Sequence, residues 1–171
     1  MSLQIRTVTT KRDYKTFVRF ANRLYKGNRY YVPSICLDDL NTFDKEKNGA
    51  FEFCDAELYL AYKDGKPVGR VAAIVNYKAN DAWKVNQVRF GWIDFIDDLE
   101  VSAALLDAVV RFGKERGMTQ IVGPFIRWDS NMQRPTQIWR RIIVYRLCGI
   151  RWKRNSIRKD GYLERISNET V

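Results

Sequence analysis

Histidine is absent from all 171 residues, and that absence excludes more chemistry than any residue present. Without imidazole there is no Ser-His-Asp or Cys-His nucleophile system, no His-containing zinc site, and no imidazole general base. Acid–base work has to come from carboxylates, tyrosine, lysine, cysteine or water. Cysteine is scarce as well. Cys36, Cys54 and Cys148 are odd in number and widely spaced, with no Cys-x-x-Cys pair, which argues against a disulfide framework and a zinc ribbon. No metal is expected. No run of about eighteen or more apolar residues occurs, and Met1 to Arg6 lacks the basic-then-apolar layout of a secretory signal. The expectation is a soluble, cytoplasmic chain with no membrane partner.

What is present suits one folded domain, because 171 residues at 46% hydrophobic content can bury a core of ordinary size. The net charge of +10 invites a nucleic-acid reading, but residues 126–171 carry +7 of it and residues 1–125 only +3.

The pattern along the chain alternates between strand and helix periods. A short strand over Gln4 to Thr9 precedes a helix whose apolar residues Tyr14, Phe17, Val18, Ala21, Leu24 and Tyr25 recur at three- and four-residue steps. Thr10 and Asp13 form a capping box at its start, and Gly27 is placed to end it. Residues 28–48 read as irregular, with one short helix around Asp38. Ala56 to Tyr62 and Pro67 to Tyr77 flank Asp64-Gly65, the signature of a β-hairpin closed by a type I′ turn. A connector from Ala79 to Gln87 leads to an aromatic and β-branched run, Val88 to Ile96, that favours a strand. The following helix carries the stripe Val101, Leu105, Ala108, Val109 and Phe112 and closes at Arg116-Gly117. Thr119 to Val122 forms one more strand, stopped by Gly123-Pro124. An antiparallel meander followed by a strand–helix–strand unit predicts an α/β fold, a mixed α+β sheet with a parallel pair at its end and a right-handed crossover.

Several phrases of the chain resemble the GNAT superfamily of acyl-CoA-dependent N-acyltransferases, in an uncharacterised branch. They are Arg23-Leu24-Tyr25-Lys26 with Tyr31-Val32-Pro33, Phe51-Glu52-Phe53, Gly69 to Ile74, Phe90-Gly91-Trp92, and Glu115-Arg116-Gly117-Met118 leading to Gly123-Pro124. The resemblance covers roughly residues 5–125, so that 1–125 reads as the N-terminal two-thirds of a GNAT-like domain, incomplete at its C-terminal side. It implies that acetyl-CoA or another acyl-CoA lies where the strands at 88–96 and 119–122 splay apart, with its pyrophosphate at the start of the next helix. The cofactor-binding positions would then be Phe95, Ile96, Asp97, Val101 and Ser102. It further implies a small-molecule or peptide amine as acceptor. Asp94, the carboxylate inside the apolar run Val88 to Ile96, is the candidate catalytic base, against the plainer reading that it lies at the wet end of the strand. The segment Ile96 to Ser102 departs from the superfamily's glycine-rich loop, with no glycine and the three carboxylates of Asp97, Asp98 and Glu100. Asp97 or Asp98 is expected to cap the helix. Tyr59, Tyr62 and Trp83 read as packing residues, and Arg70 as a solvated or ion-paired side chain.

After Phe125 the composition changes. All eleven alanines lie before that point, and nine of the eleven cations after it are arginine. Three readings of residues 126–171 stand side by side. The segment is a basic module in which Trp128, Trp139 and Trp152 interleave with arginine to bind nucleic acid. It is divergent structure, with Gln137 to Leu147 as a strand or helix. Or it is an out-of-frame or truncated end. Two functions follow: an N-acyltransferase, impaired if the frame is shifted, or a non-catalytic basic protein that binds nucleic acid.

Overall fold

The hairpin organises the sheet. Asp64 and Gly65 take φ of 52° and 75°, the consecutive left-handed residues of a type I′ turn. They join β2 (Cys54–Lys63) to β3 (Lys66–Asn76). β1 (Leu3–Thr7) pairs antiparallel with β2, and β4 (Gln87–Phe95) antiparallel with β3. Helix α4 (Leu99–Glu115) then crosses over to β5 (Gln120–Phe125), which lies parallel to β4. A last strand, β6 (Ile143–Arg146), returns antiparallel to β5, so the six strands follow chain order across one sheet. The mixed α+β architecture read from the sequence is therefore the fold. This computed structural model describes residues 2–125 and the backbone of 143–146. The other expectations placed on residues 126–171 lie outside the described residues.

β3 is buried without interruption from Val68 to Asn76 because both faces of the sheet are covered there. On one face α4 lays down Val101, Leu105, Ala108, Val109 and Phe112, against Val71, Ala73 and Val75 of β3 and Val88 and Phe90 of β4. Each of the larger of these side chains contributes roughly 1.5–3 kcal/mol relative to exposure. On the other face α1 (Lys11–Leu24) and α2 (Cys36–Thr42) bring Phe17, Val18 and, just after α2, Phe43 onto Leu58, Leu60, Ala72 and Ile74. The start of α1 is fixed by the expected capping box. The Thr10 hydroxyl oxygen accepts the Asp13 N–H, and the Asp13 carboxylate accepts the Thr10 N–H. α2 is the short helix expected around Asp38, and α3 (Tyr77–Ala82) fills part of the connector.

One boundary differs from the sequence reading. Gly123-Pro124 does not stop the strand, since β5 runs on to Phe125. A Cβ at Gly123 would stand 2.6 Å from the Phe90 carbonyl oxygen and 2.7 Å from its ring. The glycine thus marks close approach of β4 and β5 instead of a strand end. Among the described residues no helix is long and apolar enough to cross a membrane.

Candidate functional site

β4 is paired on both sides for only part of its length. Gln87 to Gly91 face β5, the last pair being Gly91 with Phe125, whereas Asp94 and Phe95 pair only with Arg70 and Gly69 of β3. The register slips at this point on both sides, between Arg89 and Gly91 against β5 and between Arg70 and Ala72 against β4. Trp92 sits in the irregularity with φ of 46°, a left-handed conformation that costs a bulky residue about 1–3 kcal/mol. Its indole is held by an edge contact with Phe43, at 4.8 Å and 65°, and its Nε1–H donates to Asp39 at 3.4 Å. Beyond the bulge, Trp92 to Phe95 turn a strand edge toward the β5 side that no strand among the described residues pairs. Bulges of this kind end pairing and re-aim side chains next to functional sites.

Asp94 lies on this open stretch, on the face covered by α1. Arg70 donates to its Oδ2 from Nε at 2.9 Å and approaches the same oxygen from Nη2 at 2.8 Å. The Arg70 side chain is 5% exposed and that of Asp94 is 17% exposed, so the pair is buried at one end and open at the other. Arg70 Nη1 also donates to the carbonyls of Phe17 at 2.8 Å and Val18 at 3.3 Å, locking the strand to α1. The second carboxylate oxygen accepts the Tyr25 hydroxyl at 3.0 Å. Burial, and then the negative charge of Asp94, push the Tyr25 phenol up to about 12. The Tyr25 ring packs at 4.9 Å against Tyr31, whose hydroxyl donates to Asn22 at 2.6 Å. From Tyr31 the chain leads through Tyr30, Val32, Ile35 and Leu37, exposed at 80%, 85%, 67% and 65%.

The other candidate positions lie at the start of α4. Asp98 is the N-cap, as the acidic loop leads one to expect, and its carboxylate accepts the Glu100 N–H at 2.9 Å. Lys63, at the end of β2, reaches over to the same carboxylate at 2.8 Å and stands 3.5 Å from Glu100. The hydrogen bond from Lys63, followed by that from the Glu100 N–H, holds the Asp98 carboxyl below the usual carboxylate range. Val101 and Ser102 are buried, with Val101 in the core and the Ser102 hydroxyl donating to the Leu99 carbonyl at 3.0 Å. Phe95 and Ile96 pack against the α4 face of the sheet, and the Ile96 N–H is bonded to the Val68 carbonyl at 3.0 Å. Asp97 is exposed.

The sequence reading singled out Asp94 and the start of α4, and it missed what holds them. Of the two states expected for Arg70 the ion-paired one holds, because a charge in a strand covered on both faces needs a partner; that the partner is Asp94 was not foreseen. Tyr25 was read as part of a core stripe, and its bond to Asp94 leaves no local signal. Gly91 inside an aromatic run was the available sign of a bulge. Tyr59 is buried as expected, whereas Trp83 is half-exposed and covers the Arg89 guanidinium at 5.3 Å.

No family model matches the chain. Over 121 residues it is 31% identical to protein YghO of Escherichia coli strain K12, a match that spans 71% of this chain and 31% of that protein. It is 26% identical over 124 residues to a bacterial ceramide synthase of Caulobacter vibrioides, spanning 72% of this chain and 32% of the synthase. The chain thus spans about a third of the length of the curated relatives it matches. Among solved structures, an acetyltransferase of the GNAT family from Staphylococcus aureus Mu50 superposes with a TM-score of 0.52 at 15% identity, covering 71% of this chain and 72% of that one. The fold is that of the GNAT acetyltransferases, as the sequence resemblance implied.

Proposed function

We propose that this chain carries the acyl-transfer site of an N-acyltransferase, moving an acyl group from a thioester to a primary amine that bears a long apolar chain. In that reaction the amide C–N bond forms as the thioester C–S bond breaks. One ammonium proton leaves with the thiol and another is released. The observation that carries this reading is the opening of β4 beyond Trp92 with Asp94 beside it, on a fold used by acetyltransferases. The ceramide synthase relative supports the acceptor class, since a ceramide joins an acyl group to the nitrogen of a long-chain amine.

Asp94 is suited to receive the acceptor. A carboxylate offers about four lone-pair positions; Arg70 takes Oδ2, and Tyr25 takes one position on Oδ1. An ammonium at the remaining position of Oδ1 completes the shell, and Asp94 then draws a proton from it, which frees the nitrogen lone pair for attack on the thioester carbonyl. Arg70 and Tyr25 fix the carboxylate, so no reorientation is required when the amine arrives. The apolar tail would follow Tyr30, Val32, Ile35 and Leu37, a cluster too exposed to belong to the core.

The fold also implies an acyl-CoA donor, and the chain fits that molecule only in part. The unpaired edge from Trp92 to Phe95 offers backbone groups to the two amides of a pantetheine arm. The start of α4 does not fit the pyrophosphate, because the Asp98 carboxylate occupies it and holds the Glu100 N–H. The test is to incubate the full chain with a long-chain acyl thioester and an eighteen-carbon amine such as sphinganine, and to follow the amide by mass spectrometry. Asp94→Asn should lower kcat/KM about 100-fold, the low end of the range for a lost general base. An Asp94→Asn protein as active as the parent would remove the role given to this residue, and no amide from any amine in a panel of chain lengths would remove the reaction.

A further inference from the structure

We propose that the donor is a pantetheine thioester recognised without the nucleotide pyrophosphate of coenzyme A, because the helix end that would receive those phosphates is filled by the chain's own carboxylate. The proposal rests on the N-acyltransferase reading above and narrows its donor.

A helix start binds anions through the N–H groups of its first turn, which have no partners within the helix. In α4 the Glu100 group is already used, and the carboxylate that holds it occupies the helix end. Asp98 accepts the Glu100 N–H on Oδ1 at 2.9 Å, and the Asp98 carbonyl accepts the Ser102 N–H at 3.2 Å. The nearby cation is also committed, since Lys63 stands 2.8 Å from Asp98 and 3.5 Å from Glu100. With Asp97 exposed beside them, three carboxylates share one ammonium. A doubly charged pyrophosphate would therefore have to evict Asp98 from the helix and sit against the net negative charge that remains. The loop has no glycine to let the backbone close around phosphates. The open edge of β4 has no such obstacle. Its backbone donors and acceptors on the β5 side are left for the uncharged amides of pantetheine, and recognition would end where that arm ends.

Two measurements on the full chain test this. In the first, octanoyl-CoA and octanoyl-pantetheine are compared as donors to one amine. Values of kcat/KM within about threefold of each other are expected, since a pyrophosphate making no net contact adds no binding energy. A preference for the CoA thioester of about tenfold or more, abolished when the nucleotide is removed, would overturn the proposal while leaving the N-acyltransferase reading intact. In the second, the amide resonances of Glu100 and Val101 are followed in nitrogen-15-labelled protein as coenzyme A is added to millimolar concentration. They should stay in place, whether coenzyme A binds along β4 or not at all. Saturable shifts of both, absent with pantetheine, would show that phosphate displaces Asp98 and would overturn the proposal even if no amine is acylated. As a converse check, the triple variant Asp97→Asn, Asp98→Gly, Glu100→Gln, which removes the charge and the capping oxygen together, should gain the preference for the CoA thioester that the parent lacks.

Discussion

Replacing Arg70 by methionine should destabilise the domain by about 3 kcal/mol, the lower end of the range for leaving a buried charge without its partner. The lower end is chosen because the two partners are not equally buried. Arg70 is 5% exposed, but Asp94 at 17% can take up water on its open side once the guanidinium is gone. Methionine keeps the length of the apolar stem, so the loss reports the guanidinium and its bonds to Asp94 and to the Phe17 and Val18 carbonyls. For a domain with a urea m-value of about 2 kcal/mol/M, the midpoint should fall by roughly 1.5 M at unchanged slope. Asp94→Asn should cost at least as much, because it strands the more deeply buried charge. The double variant should recover about 2 kcal/mol of the summed losses, as expected for directly bonded partners. A loss below about 1 kcal/mol for Arg70→Met, or strict additivity in the double variant, would mean that the pair does not hold β3 and β4 to α1.

Four further outcomes follow from the same geometry. The Tyr25 phenol is raised from 10.0 to about 12, so the stability it lends is complete below pH 10 and is lost as pH rises through about 12. In an ultraviolet titration, Tyr25→Phe should remove one phenol ionising near pH 12, and removal of a group ionising near 10 would contradict the bond to Asp94. Asp98 is shifted the other way, so its contribution is present above pH 3.8 and disappears as the pH falls through its lowered folded value; Asp98→Ala should flatten that acid limb of the stability curve. Loss of the α1 cap in Thr10→Ala should cost about 1 kcal/mol by thermal or urea unfolding, and a neutral result would argue against the capping box. Gly69→Ala and Gly123→Ala should each cost about 1–3 kcal/mol, Gly123 the more, because its new Cβ would meet the Phe90 backbone whereas that of Gly69 meets the movable ends of Leu105 and Val101. Reversal of that order in urea melts would mean that β4 and β5 are less tightly apposed than described.

What could be read ahead of the structure was whatever is written locally. Asp64-Gly65 announces the hairpin, Thr10 with Asp13 the start of α1, and the stripe from Val101 to Phe112 the buried face of α4, because each depends on residues within a turn or two. The site was legible only in outline. Asp94 stands out as a charge in an apolar run, but its partners lie 24 residues away at Arg70 and 69 away at Tyr25, and no period or spacing links them. The same holds for Lys63, which reaches Asp98 across 35 residues. Gly123-Pro124 misled for a related reason: a glycine demanded by the approach of another strand looks, in one dimension, like a glycine that ends its own.

The partly paired strand also bears on how copies of the chain behave toward one another. A free stretch of sheet is a template for any extended peptide, another copy included, and proteins that need one must discourage the wrong guest. Here the free stretch of β4, which ends at Phe95, is followed by Asp97, Asp98 and Glu100 at the start of α4, so two copies meeting edge to edge would bring like charges close together. On the donor proposal above, the acidic residues that would keep phosphate away from the helix would also act as gatekeepers against self-association. Neutralising them should show in a light-scattering onset at lower protein concentration, and an unchanged onset would deny them that second duty.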